Sequence, residues 1–198
     1  VQTSLVETIA HPAWVQRAWQ RIREEVEQGH QAFVVCPRID PHDKDELDDP
    51  DVRPSATVID LATELREGAL QGLSIEVLHG RMPADEKDAV MARFASGETD
   101  VLVSTTVIEV GVDVPDATIM VIEHAERFGL SQLHQLRGRV GRGAEQSYCI
   151  LMSGEKLSKE ARARLDAMCQ TNDGFRLAEL DLKLRGAGDI AGTQQSGM

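Results

Sequence analysis

The chain has 198 residues, of which 41% are hydrophobic, and carries a formal net charge of −12 at pH 7. This size allows one well-buried core with a small appendage. The apolar runs are far too short to span a bilayer, and no charged start followed by an apolar stretch marks a secretory signal. We therefore expect a cytoplasmic protein with no membrane partner.

The negative charge is concentrated in the first part of the chain. Residues 1–123 carry a net charge of −14, whereas residues 124–198 carry +2. Much of the acid lies in the loop predicted at 40–54, where seven carboxylates occur between Asp40 and Asp51. We interpret this segment as a solvated loop rather than a metal site, because it is too polar to fold alone. The acidic balance as a whole argues against nucleic-acid binding, but the later part of the chain does not share it.

The three cysteines are predicted to be buried, reduced thiols. Cys36, Cys149 and Cys169 are odd in number and show no CxxC spacing. Two of them lie within apolar, strand-like runs, where cysteine behaves as a small hydrophobic residue.

Strand and helix patterns alternate through residues 1–153, which we predict to form one domain. The weakly alternating segment 1–11 indicates a linker or edge strand. Strands are then predicted at 31–36, 74–78, 100–104, 118–122 and 147–152, and helices at 12–28, 56–67, 83–95 and 132–143. Such alternation with short connections is typical of a parallel sheet covered by helices on both faces. Functional loops are then expected at the carboxyl ends of strands, after Leu78, Ser104 and Ile122.

Residues 154–198 form the second predicted unit. Apolar residues at helical spacing predict helices at 158–170 and 175–185, and the turn residues Asn172, Asp173 and Gly174 separate them. The two helices would make a hairpin. A glycine-rich tail follows.

The segment QLHQLRGRVGRG at 132–143 has the most informative pattern. Ser131 is expected to cap this helix. Gln135, Arg139 and Arg142 would then share one helical face, while the leucines and Val140 would face the core. Gly138 and Gly141 would each cost about 1 kcal/mol inside a helix, which suggests that another backbone or a phosphate group approaches there. Planar, permanently charged guanidinium groups suit phosphate recognition.

A second motif, STTVIEVGVDVPDA, directly follows a predicted strand. Thr105 and Thr106 offer hydroxyl and backbone N–H groups to a phosphodiester. Gly111 allows a tight backbone, and Asp113 is a short acceptor able to meet a ribose hydroxyl. Each feature is weak alone. Combined with residues 132–143, which we term the arginine segment, these features indicate a nucleotide-dependent function.

These two motifs resemble motifs V and VI of superfamily 2 helicases. The run VIEHAERFGLSQLHQLRGRVGRG resembles the RecG-type branched-DNA helicases, and the tail DGFRLAELDLKLRGAGDIAGTQQSG is similar to their translocation motif. The match covers nearly the whole chain. It implies a second RecA-like motor lobe, of the P-loop NTPase type, over 1–153, followed by a translocation hairpin and tail over 154–198.

The resemblance also implies roles for individual residues. Arg142 matches the arginine finger, Arg139 its companion, Gln135 the residue that positions them, and Asp113 the acidic residue on the ribose side. Gly111 is the second expected cofactor-binding position. The positions that match DNA-contacting or coupling residues are His79, Gly80, Thr105, Thr106, Arg164, Arg185 and Gln195. The chain departs from the family pattern at Ala187, usually proline, and at Gln194, usually arginine.

The sequence contains no Gly-Lys pair and therefore no GxxxxGK[ST] phosphate-binding loop. The resemblance then implies that ATP and Mg²⁺ are held mainly by a first RecA-like lobe outside this chain, and that the chain alone is inactive. The implied partners are that lobe, a DNA-binding wedge domain and branched double-stranded DNA. A transcription-repair coupling translocase, which shares the tail motif, and a non-catalytic nucleic-acid-binding lobe remain alternatives.

Overall fold

The structure is a computed structural model that describes residues 1–37, 56–105, 114–141, 143, 145–154 and 156–184, with side chains omitted at 56 and 57. Several predicted features lie outside the described residues: the acidic loop at 40–54, Thr106, Gly111, Asp113, Arg142, Arg185, Ala187, Gln194 and Gln195.

A six-stranded, fully parallel sheet forms the centre of the molecule, in the strand order β1-β6-β5-β2-β4-β3. The strands are β1 (Gln2–Glu7), β2 (Gln31–Val35), β3 (Ile75–Leu78), β4 (Val101–Ser104), β5 (Ala117–Ile122) and β6 (Tyr148–Ser153). The predicted parallel α/β architecture is confirmed. The segment predicted as a linker or edge strand is the edge strand β1.

Helices cover both faces of the sheet. They are α1 (Pro12–Glu27), α2 (Ala56–Glu67), α3 (Ala84–Ala95), α4 (Leu130–Arg137), α5 (Lys159–Gln170) and α6 (174–184), with a 3₁₀ turn at Ala125–Arg127. One apolar cluster joins α1 and α2 to one face, and the other joins α3, α4, α5 and α6 to the opposite face.

Strand β2 shows why the central strands are continuously apolar. Its side chains alternate between the two clusters, so that Phe33 and Val35 lie on one face and Ala32 and Val34 on the other. All four are at most 3% exposed. The ring of Phe33 meets that of Phe94 from α3 edge to face, with centroids 4.9 Å apart. Both faces of β2 therefore belong to the core.

The helix predicted at 132–143 is shorter than expected. It begins at Leu130, so Ser131 is not its cap; the Gly129 N–H instead donates to Gln132 Oε1 at 3.0 Å. It ends at Arg137. The prediction that Arg139 shares a helical face with Gln135 is therefore wrong. The apolar side of the segment is confirmed, because Leu133, Leu136 and Val140 are all buried.

Gly141 explains why a helix cannot extend to residue 143. Its φ is +83°, in the left-handed region that glycine tolerates best. A Cβ there would lie 2.6 Å from Val1 Cγ2 and 2.7 Å from Ser147 Oγ, at the amino ends of β1 and β6. This glycine permits the chain to turn closely past the amino edge of the sheet.

The cysteine prediction agrees with the structure. Cys36 and Cys149 are buried, Cys169 is half-buried on α5, and all three are free thiols. Burial raises the pKa of Cys36 and Cys149 to about 12 and that of Cys169 to about 11. The thiols are therefore protonated at neutral pH. Within the described ranges, no helix is both long and apolar enough to cross a bilayer.

We predict that Gly141→Ala destabilises the fold more than Gly72→Ala. Both glycines have positive φ, but a Cβ at Gly72 would meet nothing within 4 Å. The Gly72 variant isolates the backbone strain, about 1 kcal/mol, whereas Gly141→Ala adds steric overlap of about 1–3 kcal/mol. Urea unfolding of both variants measures the difference; equal losses would contradict the close packing at Gly141.

Candidate functional site

The carboxyl ends of β3 and β4 bring together His79, Gly80 and Thr105. The Thr105 N–H donates to the Leu78 carbonyl at 3.1 Å, which fixes the two loops side by side. The hydroxyls of Ser104 and Thr105 are buried, and neither has a hydrogen-bond partner among the described residues. This edge therefore places polar groups from two sequence-predicted loops together.

His79 is held as a neutral hydrogen-bonding group. Its Nδ1 accepts the Arg81 N–H at 3.2 Å, so the neutral ring carries its proton on Nε2. Burial lowers the pKa of His79, and nearby Lys87 and Arg81 lower it further against the opposing effect of Glu86. A neutral imidazole with an Nε2–H donor can bind a phosphate oxygen without carrying charge.

The predicted functional loop after β5 carries a third polar cluster at the same edge; its residues His124 and Glu126 were not singled out from the sequence. His124 adopts a left-handed conformation with φ 49°, and its Nδ1 lies 3.6 Å from Glu126 Oε1. This carboxylate raises the pKa of His124. Burial acts to raise the pKa of Glu126, but the imidazole and other neighbours lower it overall. The signal in the sequence was a run of charged residues directly after a buried strand.

Arg164 lies against this third cluster. Its Nη2 donates to the Glu126 carbonyl at 3.1 Å, and its buried Nε has no partner among the described residues. Arg164 therefore fastens the middle of α5, the first helix of the hairpin, to the turn after β5.

Gln135 and Arg139 lie on the segment that leads back to the amino edge of the sheet. Gln135 is exposed and Arg139 is half-buried. Neither side chain forms a hydrogen bond or ion pair with another described residue. The expected companion Arg142 lies outside the described residues. The structure places Gly141, near the end of this segment, beside the amino ends of β1 and β6.

Among the described residues of the arginine segment, Arg137 has the most side-chain hydrogen bonds, although it was not singled out from the sequence. It is 4% exposed, and its guanidinium donates to the carbonyls of Met168 and Thr171 at 2.5 and 2.9 Å and to Thr3 Oγ1 at 3.2 Å. These acceptors belong to the end of α5 and to β1. One buried side chain thereby joins the arginine segment to the hairpin and to the edge of the sheet.

The second helix of the hairpin also approaches α4 closely. A Cβ on Gly174 would lie 2.6 Å from His134 Nε2, so only glycine allows the present contact without movement of the ring. Leu177 is buried in the same apolar cluster as Leu133 and Leu136. The hairpin is therefore packed against the helix that carries Gln135. Across the described part of the chain, no group of three or more His, Cys, Asp and Glu side chains could hold a metal ion.

Two family models match the chain. Residues 15–144 match the helicase conserved C-terminal domain, and residues 171–198 match domain 3, C-terminal, of the ATP-dependent DNA helicase RecG. Among similar curated proteins, the ATP-dependent DNA helicase RecG of Mycobacterium tuberculosis is 53% identical over the whole chain, and that of Bacillus subtilis is 50% identical over 89% of it. The chain spans about a quarter of the length of these relatives, 27% and 25%.

Solved structures give the same grouping. RecG bound to a three-way DNA junction matches 96% of this chain, and 23% of its own, with a TM-score of 0.75 and 44% identity. The C-terminal domain of yeast (S. cerevisiae) Dbp5 bound to Gle1 and IP6 matches 93% of this chain and 96% of its own, with a TM-score of 0.55. That second likeness, at 15% identity, concerns the fold alone. The predicted RecA-like fold is confirmed.

We predict that Arg137→Met costs about 2–3 kcal/mol of unfolding free energy, because it leaves buried carbonyl acceptors unpaired. Arg139→Met is the matched control. Since its guanidinium has no partner among the described residues, we expect a change within about 0.5 kcal/mol. Chemical denaturation of both variants tests this prediction. Similar stability losses in the two would show that Arg137 does not act as a structural clamp.

Proposed function

The chain belongs to the helicase conserved C-terminal domain family, and we propose that it is the second motor lobe and translocation hairpin of an ATP-dependent DNA helicase of the RecG type. In the full-length protein it would couple ATP hydrolysis to movement along double-stranded DNA and remodel stalled forks and four-way junctions. The proposal places this activity in the cytoplasm and divides the chain into a lobe at 1–153 and a hairpin and tail at 154–198.

The observation that carries the proposal is the contrast between two neighbouring arginines. The Arg137 guanidinium donates hydrogen bonds to acceptors within the chain. Arg139, two residues later, has no hydrogen-bond or ion-pair partner among the described residues. A half-buried guanidinium held on a well-anchored segment is suited to an anion supplied from outside the chain.

The residues present fit a nucleotide whose phosphates are held elsewhere. The sequence has no phosphate-binding loop of its own, so ATP and Mg²⁺ would be bound mainly by a first RecA-like lobe. When bound, the nucleotide supplies the phosphoryl group whose transfer releases free energy. We propose that Arg139 and Arg142 place positive charge beside that group, and that Gln135 orients them. Asp113 would meet the ribose, and Gly111 would allow the tight backbone of the cofactor-binding loop.

DNA would contact the opposite, carboxyl edge of the sheet. His79, Gly80, Thr105 and Thr106 offer uncharged donors and backbone groups to phosphate oxygens, which position a duplex without reading its sequence. The RecG structure bound to a three-way junction supports branched DNA as the substrate. A wedge domain elsewhere in the full-length protein would hold the branch point.

The hairpin provides the link between the two edges. Arg137 ties the end of α5 to the arginine segment, and Arg164 ties the middle of α5 to the turn after β5. When the two lobes close on nucleotide, the arginine segment would therefore carry the hairpin with it. Arg185 and Gln195 of the tail are proposed to pass this movement to the duplex.

We predict that Arg142→Ala in the full-length protein lowers ATP turnover by about a thousandfold or more, the usual effect of removing an arginine finger. Nucleotide binding should change little, because the phosphates are held by the other lobe. Lys159→Ala removes a positive charge from an exposed position on α5 and is the control. ATPase assays with forked DNA measure the effect, and near-normal turnover in Arg142→Ala would contradict the proposed role of the arginine segment.

A further inference from the structure

The outermost strands leave part of one sheet face uncovered. Helix α1 crosses toward β2 and β5, and beside it lies a cavity of about 440 Å³ that we term the edge groove. Its floor consists of Gln2 and Ser4 from β1 and of Tyr148 and Ile150 from β6, which stand side by side in register. Its wall is formed by Trp14, Arg17 and Arg21 of α1.

The outer side of β1 borders this groove. The N–H of Gln2 donates to Ser147 and that of Thr8 to Ser153, so the even-numbered residues of the strand face β6. By alternation, the N–H and C=O groups of Thr3 and Leu5 point to the other side. Among the described residues no strand pairs with that side. Such an edge can accept an additional strand.

The charge of the groove is opposite to that of the chain. Two arginines and no carboxylate line it, although the chain carries −12. The Arg17 side chain is 61% exposed and has Glu24 at 3.5 Å, while the guanidinium of Arg21 lies 4.8 Å from the centre of the Tyr148 ring. Trp14 is 50% exposed. The groove therefore combines cations with apolar surface.

The spacing of the wall suits an extended peptide. Arg17 and Arg21 are one helical turn apart, about 6 Å along the axis. Side chains on one face of a strand repeat every second residue, at about 6.6 Å. Two carboxylates at alternate positions of an extended segment would thus meet the two guanidiniums. Trp14, one turn before Arg17, would cover an apolar side chain at the end of the segment.

We propose that the edge groove binds an extended acidic segment of a partner protein, which pairs with the outer side of β1 and places alternate Asp or Glu side chains against Arg17 and Arg21. This site is separate from the arginine segment and from the carboxyl-edge loops, and it does not depend on the proposed helicase function.

A peptide fits the groove better than a nucleic acid does. The free side of β1 presents donors and acceptors in alternation, and a second peptide backbone satisfies both. A phosphodiester backbone offers only acceptors and would leave the outward carbonyls of Thr3 and Leu5 unpaired. The observations therefore favour protein over DNA at this surface.

The test uses the full-length protein and a fluorescein-labelled peptide of alternating Asp and Val with a leading Leu. Fluorescence anisotropy should show saturable binding that weakens by at least about tenfold in Arg17→Glu/Arg21→Glu, because two attractive pairs become repulsive. Lys159→Glu/Lys183→Glu, which reverses two exposed charges on α5 and α6, is the matched control and should bind as the parent does. A labelled oligothymidylate is measured in parallel.

Circular dichroism of each variant is the control for folding. The absence of peptide binding to the parent protein would overturn the proposal, as would equal loss in the two double variants. Oligothymidylate binding that Arg17→Glu/Arg21→Glu abolishes, with no peptide binding, would assign the groove to nucleic acid instead. ATP turnover is independent of these outcomes, so a failure here leaves the helicase proposal standing.

Discussion

The buried guanidinium of Arg137 is the contact on which the arrangement of this molecule depends. A guanidinium is costly to bury unless its donors are paired, and Arg137 meets this condition with acceptors from two other elements. Because those acceptors come from the end of α5 and from β1, the arginine segment, the hairpin and the sheet edge cannot shift independently without exposing unpaired polar groups. A movement imposed on one of them is passed to the others.

The parallel sheet determines which elements the Arg137 contact connects. The loops after β3, β4 and β5 lie at its carboxyl edge. The arginine segment, which begins in α4, leads back to the amino edge, where Gly141 lies close to Val1 and Ser147. Helix α5 is bonded at its middle to the turn after β5, through Arg164, and at its carboxyl end to Arg137. A rigid element bonded in this way would be a simple physical link between the proposed nucleotide-facing and DNA-facing surfaces.

Much of this architecture follows from periodicity in the sequence. Continuous apolar runs such as that of β2 identified the strands because both of their faces are buried, and the leucines of α4 identified its inner side. The end of α4 could not be predicted in the same way, because the sequence does not show which φ a glycine adopts. Gly138 has a helical conformation, whereas Gly141 has a positive φ. Arg137 was not singled out, since an arginine in a helical pattern is usually exposed. Its spacing of four residues from Leu133, on the buried side of the helix, was the available signal.

The most direct test of the proposed coupling is the amount of ATP hydrolysed per base pair unwound on a forked duplex by full-length Arg137→Met, measured at a temperature where the variant is folded. If Arg137 joins the arginine segment to the hairpin, this ratio rises several-fold, because hydrolysis continues while less of the movement reaches the DNA. An unchanged ratio, with ATP turnover and unwinding falling in proportion, would contradict the account.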